Sequence, residues 1–183
     1  MSLFPVGRII DAIGEPFTHY LIEDVYPVEI HQELLRTCPP MTKHSKDMAN
    51  LDLLKGVWKD VQITKDEGDE ISRRLGTRTG EYKSRLVRDP GGYSLGPHTD
   101  DPKKVWAFVY YLMGENGTVL FTPKKQGFEH DGLAHLEFKD FNAVKRFPFK
   151  PNSMVGFART NTSFHGVEPT KGERWTILYN CFS

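Results

Sequence analysis

The chain has 183 residues, 38% of them hydrophobic and 12% aromatic, which suits one domain with a packed core and excludes a disordered chain. Lysine plus arginine equals aspartate plus glutamate at 24 each, so an overall basic footprint for nucleic acid is absent. Cys38 and Cys181 are its two cysteines, too few for a disulfide framework or a four-cysteine zinc site. Met1 to Ile10 lacks the pattern of a secretory signal, and no apolar run reaches membrane-spanning length. The expectation is a soluble, cytoplasmic protein without a membrane or nucleic-acid partner.

In chain order, residues 18–25 read as a strand. Pro27 suits the first turn of a helix through Thr37, with Ile30 and Leu34 on one face and Pro39-Pro40 stopping it. Leu51, Leu54, Trp58 and Val61 mark a second helical face, weakened by Gly56. The mixed charge run at 65–70 predicts a solvated loop. Ile71 and Leu75, with Gly76 behind them, predict a short helix and its C-cap.

From Arg85 onward the apolar runs are short and β-flavoured, at 85–89, 105–112, 118–122, 135–139, 144–149, 154–158, 164–168 and 175–181. Pro90-Gly91-Gly92, Glu115-Asn116-Gly117, Pro151-Asn152 and Lys171-Gly172 supply turns between them. About eight strands with no long helical interval predict a jelly roll, the double-stranded β-helix of cupins. The fold class is therefore mainly β with N-terminal helices. One domain spans 1–183, with 1–80 a helical, mixed buttress and 81–183 the jelly-roll core.

The sharpest local pattern is His98-Thr99-Asp100, with His165 far downstream and Arg174 nine residues after it. Two imidazoles and a carboxylate are the ligand set that holds Fe(II) and leaves open coordination positions. Residues two apart on a strand share a face, so His98 and Asp100 can aim at one metal from a strand end. Arg174 has the planar fork that grips a carboxylate, and an acid co-substrate beside the metal follows. A lone His-x-Asp carries little, since a turn histidine beside Pro97 and a loop carboxylate look the same. The combination with His165 and Arg174 separates the two. His130 and His135 flank Asp131-Gly132 in what reads as an exposed loop. His19, His31 and His44 read as surface or helix-face residues, and Lys103 and Lys104 as a solvated turn at the site entrance.

Three stretches carry a family resemblance: 88–100 with its Pro-Gly-Gly approach to His98, Val109-Tyr110-Tyr111-Leu112, and 163–176. Together they resemble the Fe(II)- and 2-oxoglutarate-dependent oxygenases, and within them the prolyl-hydroxylase-like branch, over roughly residues 80 to 183. The resemblance implies that His98, Asp100 and His165 ligate iron and that Arg174 binds the distal carboxylate of 2-oxoglutarate, assisted by the Tyr111 hydroxyl. Thr176, two past Arg174 on the same face, is a further candidate for that carboxylate. Val105, Ala107, Val109 and Tyr111 would face the inside of the roll, and Trp106, Phe108 and Tyr110 the N-terminal elements.

Relatives often carry a cofactor-contacting tyrosine where this chain has Arg88 and Asp89; Tyr93 is one replacement, or else a packing residue. Asp100 disfavours the halogenase variant, which lacks this carboxylate. The implied activity is a dioxygenase that consumes O₂ and 2-oxoglutarate and hydroxylates an aliphatic C–H bond, with release of succinate and CO₂. Its substrate would be a peptidyl side chain, prolyl by preference, or an amino-acid-like small molecule, selected by a rim at 124–136. The alternative is a cupin-like hydrolase or isomerase using the same two-histidine, one-aspartate site, for which Arg174 has no use.

Overall fold

Two antiparallel sheets lie face to face in the computed structural model, which describes residues 14–40, 47–132 and 134–183. Ten strands are present among the described residues: β1 (His19–Ile22), β2 (Asp47–Asn50), β3 (Glu81–Asp89), β4 (Leu95–His98), β5 (Lys104–Met113), β6 (Val119–Pro123), β7 (Phe141–Arg146), β8 (Ser153–Ala158), β9 (His165–Val167) and β10 (Arg174–Phe182). The larger sheet runs β1-β8-β5-β10-β3-β2 and the smaller β4-β9-β6-β7. From β3 onward the chain passes back and forth between the sheets, and β3 to β10 form the expected eight-stranded jelly roll. β1 and β2 lengthen the larger sheet at its two edges.

The expected inside-outside phase holds on the central strands. On β10, Ile177, Tyr179 and Cys181 point outward into the main apolar cluster, as Trp106, Phe108 and Tyr110 do on β5. Arg174, Thr176, Leu178 and Asn180 point inward, opposite Ala107 and Val109. Val105 is an exception. Cys181 pairs with Trp106 but Phe182 with Lys104, so β5 carries one extra residue there. The bulge turns Val105 out into the apolar cluster and Lys104 inward, correcting both expectations.

The N-terminal elements cover the outer face of the larger sheet. Helix α1 (Val28–Arg36) starts one residue after Pro27, which stands at the cap position, and buries Leu34. The second helical face is split: a turn of 3-10 helix at Leu51–Leu53 and the short α2 (Val57–Asp60) flank Gly56, whose φ of 62° no regular helix accepts. Leu51, Trp58 and Val61 are nevertheless all buried in the same cluster. The Tyr26 and Tyr179 hydroxyls meet at 2.7 Å, and Tyr179 donates to the Val61 carbonyl at 3.0 Å, so buried polar groups are paired across the layers.

Three expectations fail here for identifiable reasons. Residues 65–70 are the first turns of helix α3 (Lys65–Arg74), because Thr64 and Glu67 cap each other's backbone N–H groups and outweigh the polarity of the run. The charges stay at the surface, and Gly76 at φ 64° closes the helix as expected. Residues 135–139 are not a strand; they run beside β4, with the Leu136 N–H donating to the Pro97 carbonyl, before a 3-10 turn at Phe138–Asp140. The eighth strand of the roll is β4 itself, paired only through Leu95 and His98, as expected where a proline interrupts an edge strand. His19 is buried against Phe17 and Phe147 rather than exposed. His31 is half-buried and hydrogen-bonded to the Tyr110 hydroxyl at 2.6 Å. His44 and the Met1 to Ile10 segment fall outside the described residues.

Candidate metal and oxo-acid site

β4 and β9 pair so that His98 stands directly opposite His165, with ring centroids 4.3 Å apart. Both strands need glycine beside the histidine. A methyl group on Gly166 would meet the Leu95 carbonyl, and one on Gly96 the Leu136 carbonyl. β4 ends at His98, so strand alternation does not place Asp100; its backbone does, at φ 70° in the left-handed region that aspartate tolerates better than most residues. Asp100 Oδ1 lies 3.5 Å from His98 Nε2, and Oδ2 lies 3.4 Å from His165 Nε2.

Each imidazole is tethered by its other nitrogen. His98 Nδ1–H donates to the Gly96 carbonyl and His165 Nδ1–H to the Ser163 carbonyl, both at 2.9 Å and both two residues back along the chain. A carbonyl accepts only from a protonated nitrogen, so Nδ1 carries the tether and Nε2 is the atom turned toward Asp100. Burial, followed by the neighbouring His98, lowers the His165 pKa to about 3, and the ring is neutral at physiological pH. Burial alone would raise the Asp100 carboxyl, but the Lys104 ammonium, whose Nζ is 2.9 Å from Oδ1, and then the imidazoles hold it well below the usual carboxylate range. Two imidazoles and one carboxylate, with donor atoms within 4.8 Å of one another, are the ligand set and spacing that a divalent ion of the iron type requires. Asp100 Oδ2 is buried with no hydrogen-bond partner among the described residues, as a ligand atom awaiting an ion would be.

These groups line one side of a cavity of about 360 Å³ between the sheets. On another wall, Arg174 opens β10 opposite Asp89, and its Nη1 lies 3.3 Å from Asp89 Oδ2. Arg174 is 4% exposed, and its Nε has no hydrogen-bond partner among the described residues. A buried guanidinium with an idle donor fits an incoming carboxylate. Thr176 lines the cavity beside it. Tyr111 is fully buried and stacks on Phe149 at 4.8 Å; its hydroxyl donates to Thr118 Oγ1 at 2.9 Å and accepts the Thr118 N–H at 2.8 Å. Burial pushes this phenol up, opposed by Thr118 and by the Arg174 charge, and it is Thr118 that reaches the cavity.

The cavity also takes polar residues that the sequence did not single out as ligand-binding, among them Asp89, Thr118, Lys104 and His135. His135 is exposed and in a loop, as expected, but its ring lies 5.2 Å from that of His98 and lines the cavity. His130 does stay in the loop, where its Nε2 donates to the Ala134 carbonyl at 3.2 Å. Arg88 and Asp89, at the position of the relatives' tyrosine, face opposite ways. Arg88 pairs with Glu173 and lies over the Trp175 ring, whereas Asp89 and Tyr93 line the cavity. Among the described residues, the His98–Asp100–His165 group is the one cluster with metal-ligand spacing.

A two-sheet roll enclosing such a triad, with a buried arginine across the same cavity, defines the jelly-roll metal enzymes that act with an acid co-substrate. The family model of the 2OG-Fe(II) oxygenase superfamily matches residues 84–182, more than half of the chain, and the chain belongs to that family. The family's cofactors are Fe(II) and 2-oxoglutarate. No curated protein matches the chain by sequence. Among solved structures it is similar to a Pseudomonas putida prolyl-4-hydroxylase, at 15% identity and a TM-score of 0.62, covering 90% of this chain and 91% of that one. It is also similar to a Burkholderia pseudomallei oxidoreductase of the 2OG-Fe(II) oxygenase family, at 14% identity, TM-score 0.56 and coverages of 90% and 84%. A third is a Trichoplax adhaerens prolyl hydroxylase in complex with a peptide fragment of the hypoxia inducible factor oxygen degradation domain, at 16% identity, TM-score 0.59 and coverages of 90% and 83%. At these identities the likeness is one of fold alone. Among the described residues no helix is long and apolar enough to cross a membrane.

Proposed function

We propose that this oxygenase is a hydroxylase of aliphatic C–H bonds in prolyl or amino-acid-like substrates. His98, Asp100 and His165 would hold Fe(II), and Arg174 with Thr176 would hold the far carboxylate of 2-oxoglutarate. When bound, iron and the oxo acid supply an O₂-driven oxidation that releases CO₂ and succinate. The observation that carries this reading is the pair of imidazoles tethered through Nδ1 and the idle Arg174 Nε on walls of one cavity. Phe157, whose ring lies 4.4 Å from that of His165, closes the back of the metal site and keeps water from it. Tyr111 fixes Thr118 in place and, through its proximity to Arg174, orients the carboxylate grip. His135 stands at the entrance, on the 124–136 segment, where a substrate would pass. The described residues of the 1–80 stretch act as the buttress of the same domain, with Leu34, Leu51, Trp58, Val61 and Ile71 packed on the outer face of the roll.

Support for a prolyl or peptidyl substrate comes from the fold neighbours, which include prolyl hydroxylases and one with a peptide bound. A hydrolase or isomerase using the same three ligands would have no use for the buried Arg174. The test is a screen of proline-containing peptides, free amino acids and nucleic-acid oligomers with Fe(II) and 2-oxoglutarate. The expected outcome is succinate formation stimulated by a peptide or amino acid that gains one oxygen atom by mass. Oxidation of the oligomers alone would overturn the substrate class and leave the cofactor chemistry standing.

A further inference from the structure

Thr99, the residue between two of the proposed ligands, is fully buried and held at both its polar ends. Its hydroxyl donates to the His130 carbonyl at 2.8 Å, and its own carbonyl accepts from Arg159 Nε at 3.2 Å. Arg159 follows β8, is anchored there by its N–H to the Val105 carbonyl at 2.9 Å, and uses each guanidinium nitrogen once. Nη1 donates to Asn161 Oδ1 at 2.8 Å and Nη2 to Asp131 Oδ1 at 3.0 Å. The His130 N–H donates to the Asn161 carbonyl at 2.9 Å, which closes a ring of hydrogen bonds through Thr99, His130, Asn161 and Arg159. That ring joins three segments that the sequence keeps far apart: the turn after β4, the 124–136 rim, and the loop between β8 and β9.

We infer that Arg159 is a positioning residue for Asp100 and couples the order of the 124–136 rim to metal binding. The Thr99 carbonyl belongs to the peptide plane that leads into Asp100. Rotation of that plane changes φ of Asp100, which stands at 70°, a conformation an L residue does not keep without support. By holding the carbonyl, Arg159 fixes the plane and thereby the direction of the carboxylate. The same guanidinium holds Asp131, so the rim is ordered by the group that aims the ligand. Arg159 touches neither the cavity's donor atoms nor its oxo-acid wall. Its side chain is 10% exposed and its bond to the Thr99 carbonyl is half-buried, whereas Asp131 stands 68% exposed at the other end. The inference rests on the ligand set proposed above.

The test titrates metal-free protein with Mn(II) by calorimetry and follows amide hydrogen exchange at residues 128–132, both independent of turnover. Arg159→Met should weaken Mn(II) binding roughly ten-fold or more, the usual cost of losing a group that orients a ligand. Mn(II) should slow exchange at 128–132 in the wild type and not in Arg159→Met. Wild-type Mn(II) affinity in a folded Arg159→Met protein, or equal metal-induced protection in both, would overturn the inference. Should Arg159→Met fail to fold, Thr99→Val opens the ring from its other side. It leaves the Arg159 bond to the backbone carbonyl of residue 99 in place, so it should remove the metal-induced protection at 128–132 while sparing Mn(II) affinity, and unchanged protection would equally overturn the coupling. Asp131→Asn leaves the Arg159–Thr99 bond in place, so it should speed exchange in the rim while sparing metal affinity. His98→Ala separates this inference from its foundation: if that variant binds Mn(II) like the wild type, the ligand set itself is wrong.

Discussion

The two faces of β5 and β10 are made from the same strands and do opposite work. Outward, Trp106, Phe108, Tyr110, Ile177 and Tyr179 are large, buried and packed to the helical layer with every polar atom partnered or capped by a neighbour. Inward, Ala107, Val109, Thr176 and Leu178 are smaller, and the space they leave is the cavity of about 360 Å³. Close packing is the default of a protein interior, so an unfilled face lined by idle donors marks where the fold has given up stability for a ligand. Substitutions on the two faces should therefore separate, with function lost on one and stability on the other.

The largest effect expected is on the inner side. His165→Ala should reduce 2-oxoglutarate turnover, measured as succinate release, to background, while the metal-free protein keeps its melting temperature to within a few degrees because one buried, neutral ring is lost from a cavity wall. His130→Ala, in the rim but outside the cavity, should retain turnover. On the outer side, Phe108→Ala should destabilise the fold by about 3–5 kcal/mol in a urea titration, the usual cost of an emptied aromatic site. Where it still folds at low temperature, it should bind Mn(II) normally. Loss of metal binding in folded Phe108→Ala would show that the two faces are not separable.

Arg174→Lys keeps the charge and loses the fork, so 2-oxoglutarate should bind about ten-fold more weakly to the Mn(II) form, with little change in melting temperature. Tyr111→Phe should shift affinity in the same direction by less, since its hydroxyl acts through Thr118. Wild-type affinity in Arg174→Lys would make the arginine a partner of Asp89 and nothing more.

The smallest expected effect is a pH dependence carried by the outer rim of the roll. Burial lowers the His19 pKa from its ordinary value of 6.5, the Phe17 carbonyl opposes this, and the nearby Lys145 lowers it further. Between the folded pKa and 6.5 the unfolded chain binds more protons. Stability is therefore lost as pH falls below about 6.5. His19→Gln should make the acid side of a melting-temperature profile shallower. It should not flatten it, because His31 and His165 are also held neutral by burial and titrate with the same sign.

The site was legible in the sequence to the extent that its chemistry is written in residue types at fixed spacing. His98, Asp100, His165 and Arg174 meet in one cavity as the pattern required. Asp89, Thr118, Lys104 and His135 were not, because their inward aim depends on register, a bulge and a loop path that no local pattern encodes. The roll followed from short apolar runs and turn chemistry, yet two elements were misplaced. In α3 a mutual cap between Thr64 and Glu67 overrode a run of charges. At 135–139 a β-flavoured segment lost its place in the sheet to β4, whose Gly-Pro sequence hides its strand character. The tethers on the histidine Nδ1 atoms use backbone carbonyls and leave no trace in side-chain identity at all.

The extra residue in β5 has a bearing on how such a site can change over evolutionary time. Remove the irregularity at Val105, and alternation alone would send a side chain at position 104 to the outer face and put an apolar one beside Asp100. A single insertion or deletion at one strand end thus acts as a gear, exchanging a cation for a hydrocarbon at the ligand carboxylate without touching a ligand. Relatives built on the same roll can differ in the charge they present next to the metal by the length of this strand rather than by the identity of any residue within it.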